Sequence, residues 1–164
     1  MDFILRLEQS GFASWVREGG TLWSYPAILF CHTIGLATLS GLNAGIDLRL
    51  LGFARRIPLA PLRTLFPLMW FAFAITAASG SALLIADMSA RLHSPIFYVK
   101  LAFVALALVT MQLIKRTVFN RKDIDDSALP SQARLLAVMS IFFWIAATTA
   151  GRLMAYLGPV SGLD

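Results

Sequence analysis

LWSYPAILFCHTIGLATLSGLNAGI, residues 22–46, contains no Asp, Glu, Lys or Arg. Roughly 20 apolar residues at a 1.5 Å rise cross the hydrocarbon core of a bilayer, about 30 Å thick, so this run predicts a membrane-spanning helix from Leu22 to Ile46. One residue in it is out of place. His32 lies about ten residues past Leu22, roughly 15 Å deep, and a polarisable, protonatable ring in hydrocarbon needs something to bind.

Three more runs reach spanning length, at 62–86, 95–114 and 135–157. No water is available in the bilayer to satisfy backbone groups, so each is expected to be helical. The fold class is therefore all-α: one polytopic membrane domain, residues 1–164, built as an antiparallel four-transmembrane-helix bundle. Its composition agrees, with 58% hydrophobic and 14% charged residues and a mean hydropathy of +0.73. Pro95 suits the first turn of the third helix with Ser94 as its N-cap, and Gly158-Pro159 is expected to stop the fourth. Pro67 falls in the opening turns of the second. Residues 1–20 read as an amphipathic segment in the interface, weakened at Ser10-Gly11, with Trp23 and Tyr25 at headgroup level. Asp2, Arg6, Glu8, Arg17 and Glu18 interrupt any apolar stretch a signal peptide would need.

The net charge of +5 sits in short loops between apolar runs, which argues for helix orientation and against nucleic acid as a partner. Arg49, Arg55, Arg56, Arg63, Lys115, Arg116, Arg121, Lys122 and Arg134 fall on one side, while Arg6, Arg17, Arg91, Lys100 and Arg152 fall on the other. The positive-inside bias then puts both termini outside, in the periplasm if the bilayer is a bacterial inner membrane. Asp123, Asp125 and Asp126 read as a solvated hairpin. Cys31 is the only cysteine, so no intrachain disulfide forms, and it points about 100° away from His32. No Ser/His/Asp set, HExxH or phosphate loop is present, which excludes the commonest soluble hydrolase chemistries.

Orientation turns position into depth. Lys100 and Arg152 lie about five residues from the outer ends of helices three and four, roughly 8 Å deep, on the same side as His32. Asp87, Ser79, Gly80 and Ser81 share that half. The set suits an anionic planar cofactor: His32 as axial ligand to haem b iron, Gly35 or Gly80 admitting the ring, Ser79 near it, and Lys100 and Arg152 toward the propionates. His93 is a second candidate ligand, and Met69, Met88 and Met154 are soft ones. Thr148 and Thr149 can serve the ring edge or their own helix.

Each residue also has a structural reading. His32 can hydrogen-bond a neighbouring helix, Lys100 and Arg152 can snorkel, and Asp87 can pair with Arg152. Gly41 and Gly45 form a small-xxx-small spacing suited to helix packing, and Asp47 with Arg49 suits an interfacial anchor.

Tyr25-Pro26, His32-Thr33-Ile34-Gly35-Leu36, Asp47-Leu48-Arg49-Leu50-Leu51-Gly52, Ser79-Gly80, Ser94-Pro95-Ile96-Phe97 with Lys100-Leu101, Ser140 with Trp144, and Gly151-Arg152-Leu153-Met154-Ala155-Tyr156 resemble a family of small four-helix bacterial inner-membrane proteins of uncharacterised function. The chain departs from that family in reading His93-Ser94 before Pro95. The plan is also similar to the haem-b protoporphyrinogen oxidase family and to the copper-resistance D-type membrane domain. That resemblance implies His32 as a haem ligand and Lys100 as a residue of the same site. The expected function is a membrane b-type haem protein in electron transfer or oxidoreduction at the outer face. Its partner classes are the bilayer, a quinone or porphyrin-like redox partner, and a homo-oligomer or larger membrane complex. Copper handling through soft ligands, or a non-catalytic accessory subunit, are the competing expectations.

Overall fold

A computed structural model describes residues 6–120 and 129–157. Helix α1 is Gly11–Glu18, α2 Tyr25–Leu51, α3 Leu65–Ala86, α4 Met88–Leu92, α5 Pro95–Ile114 and α6 Ser131–Leu157. A 3₁₀ turn at Ala60–Thr64 leads into α3, and a π turn at Lys115–Phe119 extends α5. Helices α2, α3, α5 and α6, with those extensions, form four segments long and apolar enough to cross a membrane. The chain is an all-α multi-pass bundle. The acidic hairpin and the Gly158-Pro159 stop lie outside the described residues.

Local sequence sets the helix ends. Pro95 occupies the first turn of α5, although the Ser94 hydroxyl makes no cap bond. Pro67 likewise falls in the first turn of α3, where a missing N–H costs no helical bond. Helix α2 begins three residues later than expected and runs on to Leu51. It stops at Gly52, whose φ of +100° is open to glycine, with the Gly52 and Phe53 N–H groups returning to the Arg49 and Leu48 carbonyls. The expected end at Ile46 treated Asp47 as a surface charge. Asp47 and Arg49 are both buried, so they are no interfacial anchor.

Neighbouring helices pair as α2 with α3, α5 with α6, and α2 with α6. The apolar core fills only the half of the bundle nearest Leu51. It draws on Leu39, Ile46 and Leu50 of α2, Phe66 and Met69 of α3, Met111 and Ile114 of α5, and Ala133 and Ala137 of α6. Phe66 and Phe119 meet there edge to face, centroids 5.2 Å apart. Gly41 and Gly45 face away from the bundle, with nothing within 4 Å of an added Cβ, so their small-xxx-small spacing packs no described helix.

The amino-terminal segment does more than lie in the interface. Ser10 caps α1 by accepting from the Ala13 N–H at 3.3 Å, so the expected weak point is a helix start. Ala13 and Val16 are buried against the bundle. Arg17 Nη1 donates to the Ala86 carbonyl at 3.0 Å, capping the C-terminus of α3. Glu8 accepts from the Ser89 hydroxyl at 2.9 Å. Phe12 and Trp15 remain outward, as an interfacial face requires.

Candidate functional site

At the Tyr25 end the four helices enclose space where the other end encloses core. His32 sits seven residues into α2, about 10 Å from its start. Lys100 is five residues into α5 and Arg152 five from the end of α6, so the three lie at closer depths than the longer first span predicted.

The histidine is held by the helix opposite. Its Nδ1 lies 3.0 Å from the Thr76 carbonyl and 3.3 Å from Ser79 Oγ. A carbonyl can only accept, so Nδ1 carries the proton and Nε2 keeps its lone pair. Ser79 donates to the Ile75 carbonyl at 2.6 Å, which leaves its oxygen free to receive a share of that same N–H. Nε2 has no partner among the described residues. The ring rests on α3 where Gly80 removes a side chain, for a Cβ there would come within 2.9 Å of His32 Cε1. Gly80 therefore seats the imidazole. Gly35 faces Thr76 and the Ala72 carbonyl, so it closes the α2–α3 seam and admits no ring.

Lys100 lies across Gly151 of α6, its Cε 3.5 Å from where a Cβ would stand. Among the described residues no hydrogen bond or ion pair engages its ammonium. His32 and Lys100 together line two adjoining cavities of about 310 and 410 Å³. The first runs inward to Leu39, Val104 and Trp144 and is mostly apolar. The second opens toward Tyr25, Arg91, Arg152 and Met154. Trp144 is 5% exposed, and its indole N–H has no hydrogen-bond partner among the described residues.

Other expected residues fall elsewhere. His93 is exposed, its Nδ1 2.6 Å from the Ser89 carbonyl, and lines neither cavity. It is the C-cap of α4, outside α5 and one residue before its Ser94 cap, so it stays at the rim. Asp87 pairs with Arg91, one turn along, at 3.4 Å and not with Arg152. Thr148 lines both cavities, but its hydroxyl bonds the Trp144 and Ile145 carbonyls of its own helix. Cys31 is exposed on α2, and Met69 is buried in the core. Of the soft ligands only Met154 lines a cavity. Among the described residues no three His, Cys, Asp or Glu side chains gather as a metal site.

Sequence reasoning did not place Arg91, Trp144 or the Thr76 carbonyl at the site. Thr76 was legible in hindsight as a residue one turn before Gly80, while Trp144 follows the stripe Ser140, Trp144, Thr148 on α6.

Fold and site define a multi-pass four-helix membrane protein with a cation-rimmed, mostly apolar chamber between its helices. Comparison of the chain with protein-family models, curated proteins and solved structures finds no match. The chemistry of the chamber is what bears on function.

Proposed function

We propose that the protein is an integral membrane b-type haem protein, serving electron transfer or oxidoreduction at the outer side of a bacterial inner membrane. The observation that carries this is His32. Its Nδ1–H is fixed on a backbone carbonyl, as in oriented metal-binding histidines, and its bare Nε2 shares a chamber with an ammonium that has no anionic partner among the described residues.

The residues fit the group. The two adjoining cavities offer apolar walls, one nitrogen ligand, and cations at the mouth for carboxylates. Bound there, haem supplies one-electron chemistry between its two iron oxidation states. The chain's own part is to bind, orient and insulate. His32 would hold the metal, with Thr76 keeping the ring turned and its Nε2 basic. Lys100 and Arg152 would hold the propionates, and Arg91, already paired to Asp87, adds positive potential. Leu36, Phe97 and Val104 exclude water from the inner wall. A quinone or porphyrin-like donor would reach the site from the bilayer, and the Lys and Arg distribution supports the Tyr25 end as the periplasmic one.

Haem added to the apoprotein in detergent should bind saturably, about one per chain, with a Soret band that His32→Ala loses. Absence of saturable binding to correctly folded protein would overturn the proposal.

A further inference from the structure

Among the described residues one buried acid lies outside the chamber. Asp47 is fully buried near the far end of α2, four residues before Leu51, or about 6 Å from the helix end. Its Oδ2 accepts from Asn43 Nδ2 at 2.7 Å, and the same amide nitrogen donates to Ser140 Oγ of α6 at 2.6 Å. Asn43 and Ser140 are themselves buried. Asp47 Oδ1 has no hydrogen-bond partner among the described residues.

No cation compensates this carboxyl among the described residues. Arg49 of α2 donates to the Ile57 carbonyl. Arg63, before α3, and Arg134 of α6 are exposed. Lys115, beyond α5, lies over the Phe66 ring at 5.6 Å. None is within ion-pair distance of Asp47. A carboxyl buried without a counter-charge binds a proton or a water more readily than it stays bare. Since Asn43 occupies Oδ2, Oδ1 is the oxygen left for that proton.

The position of the pair connects it to the chamber. On α2, His32, Leu36, Leu39, Asn43 and Asp47 follow one another at steps of three and four, so they share a face. On α6, Ser140 and Trp144 do the same. Leu39 and Trp144 line the inner end of the chamber. Asn43 and Ser140 therefore lie one turn below its floor. Among the described residues Trp144 Nε1 and Asp47 Oδ1 are two of the three buried side-chain atoms without partners, and their residues stand one turn above Ser140 on α6 and one turn below Asn43 on α2. Orphaned buried donors and acceptors at successive levels are where internal water bridges form.

We propose that Asp47 is a proton-exchange site of the membrane domain, joined by a short file of water beside Asn43 and Ser140 to Trp144 in the chamber floor. A proton from the aqueous phase at the Leu51 end adds to Oδ1, converting carboxylate to carboxylic acid. The reverse step releases it into the file. Asn43 and Ser140 are positioning residues that hold Oδ2. The inference does not depend on which ligand fills the chamber.

Two measurements test it on the full chain in nanodiscs. Infrared difference spectra across a pH titration, wild type against Asp47→Asn, should isolate a deuterium-sensitive carboxylic acid band that grows as pH falls. Identical titrations in the two proteins would overturn the proton site. Exchange of the Trp144 indole proton in D₂O, assigned with Trp144→Phe, should be fast in wild type and slow severalfold when Ser140→Val fills the file. An indole that stays protected in wild type overturns the water connection. Ser140→Ala, which removes one hydroxyl and little volume, provides the folded variant if Asp47→Asn misfolds: it should shift the acid band, and an unmoved band overturns the assignment.

Discussion

The two ends of this bundle are made by the same four helices and solve opposite problems. At the Leu51 end Leu39, Phe66, Met69, Met111 and Phe119 fill the space between helices. At the Tyr25 end the helices hold that space open around His32 and Lys100. In lipid there is no hydrophobic gain in bringing two helices together, so association rests on packing and interhelical hydrogen bonds. A bundle packed well at one end can afford a chamber at the other. The polar groups follow the same division: Asn43 and Ser140 bond each other across the closed end, while Lys100 at the open end has no protein acceptor among the described residues.

That contrast can be broken by substitution. His32→Ala should abolish haem binding and leave thermal stability in detergent nearly unchanged, because the ring rests in the open half. A large loss of stability would make His32 a structural residue. Phe66→Ala should do the reverse, costing about 3 kcal/mol or more by leaving a void beside Phe119, with ligand affinity preserved in whatever fraction stays folded. Chemical denaturation paired with ligand titration separates the two.

Gly35→Ala should cost about 1–3 kcal/mol as overpacking, since its Cβ meets the Thr76 hydroxyl at 2.5 Å and the Ala72 carbonyl at 3.0 Å. Gly80→Ala meets the imidazole and no backbone, and should displace His32, weakening the ligand with a smaller effect on unfolding. Equal effects of the two in both assays would erase the distinction between seam and seat. Lys100→Met should raise the apparent Kd for haem severalfold and leave stability equal or higher, as expected for a half-buried cation whose partner is a ligand. Smallest of all, Asp87→Asn should change stability by under about 1 kcal/mol, because its ion pair with Arg91 is partly exposed.

Much of the fold was legible because lipid imposes it. Four apolar runs had to be helices, and Pro95 and Gly52 mark ends by backbone chemistry alone. The end of α2 was misjudged at Asp47 because sequence reports a charge and not its neighbours. Only the meeting with Ser140, 93 positions away in the chain, shows how that carboxyl is accommodated. The site was legible to the level of depth: His32, Lys100 and Arg152 could be put in one half by counting residues. Rotation about each helix could not be counted. It gives Asp87 to Arg91 in place of Arg152, while His93, the C-cap of α4, never enters the helix that carries Lys100 into the chamber. Gly35 and Gly80 look alike in sequence and differ in what lies opposite: the Thr76 hydroxyl and helix backbone for one, the imidazole for the other.

The central claim is that the open end exists to hold a haem on His32. The most direct test is the absorption spectrum of the purified protein after haem addition, oxidised against dithionite-reduced, beside that of His32→Ala. A Soret band with α and β bands on reduction, present in wild type and lost in the variant, is the result expected. A colourless folded protein, or a variant with the same bands as wild type, would contradict it.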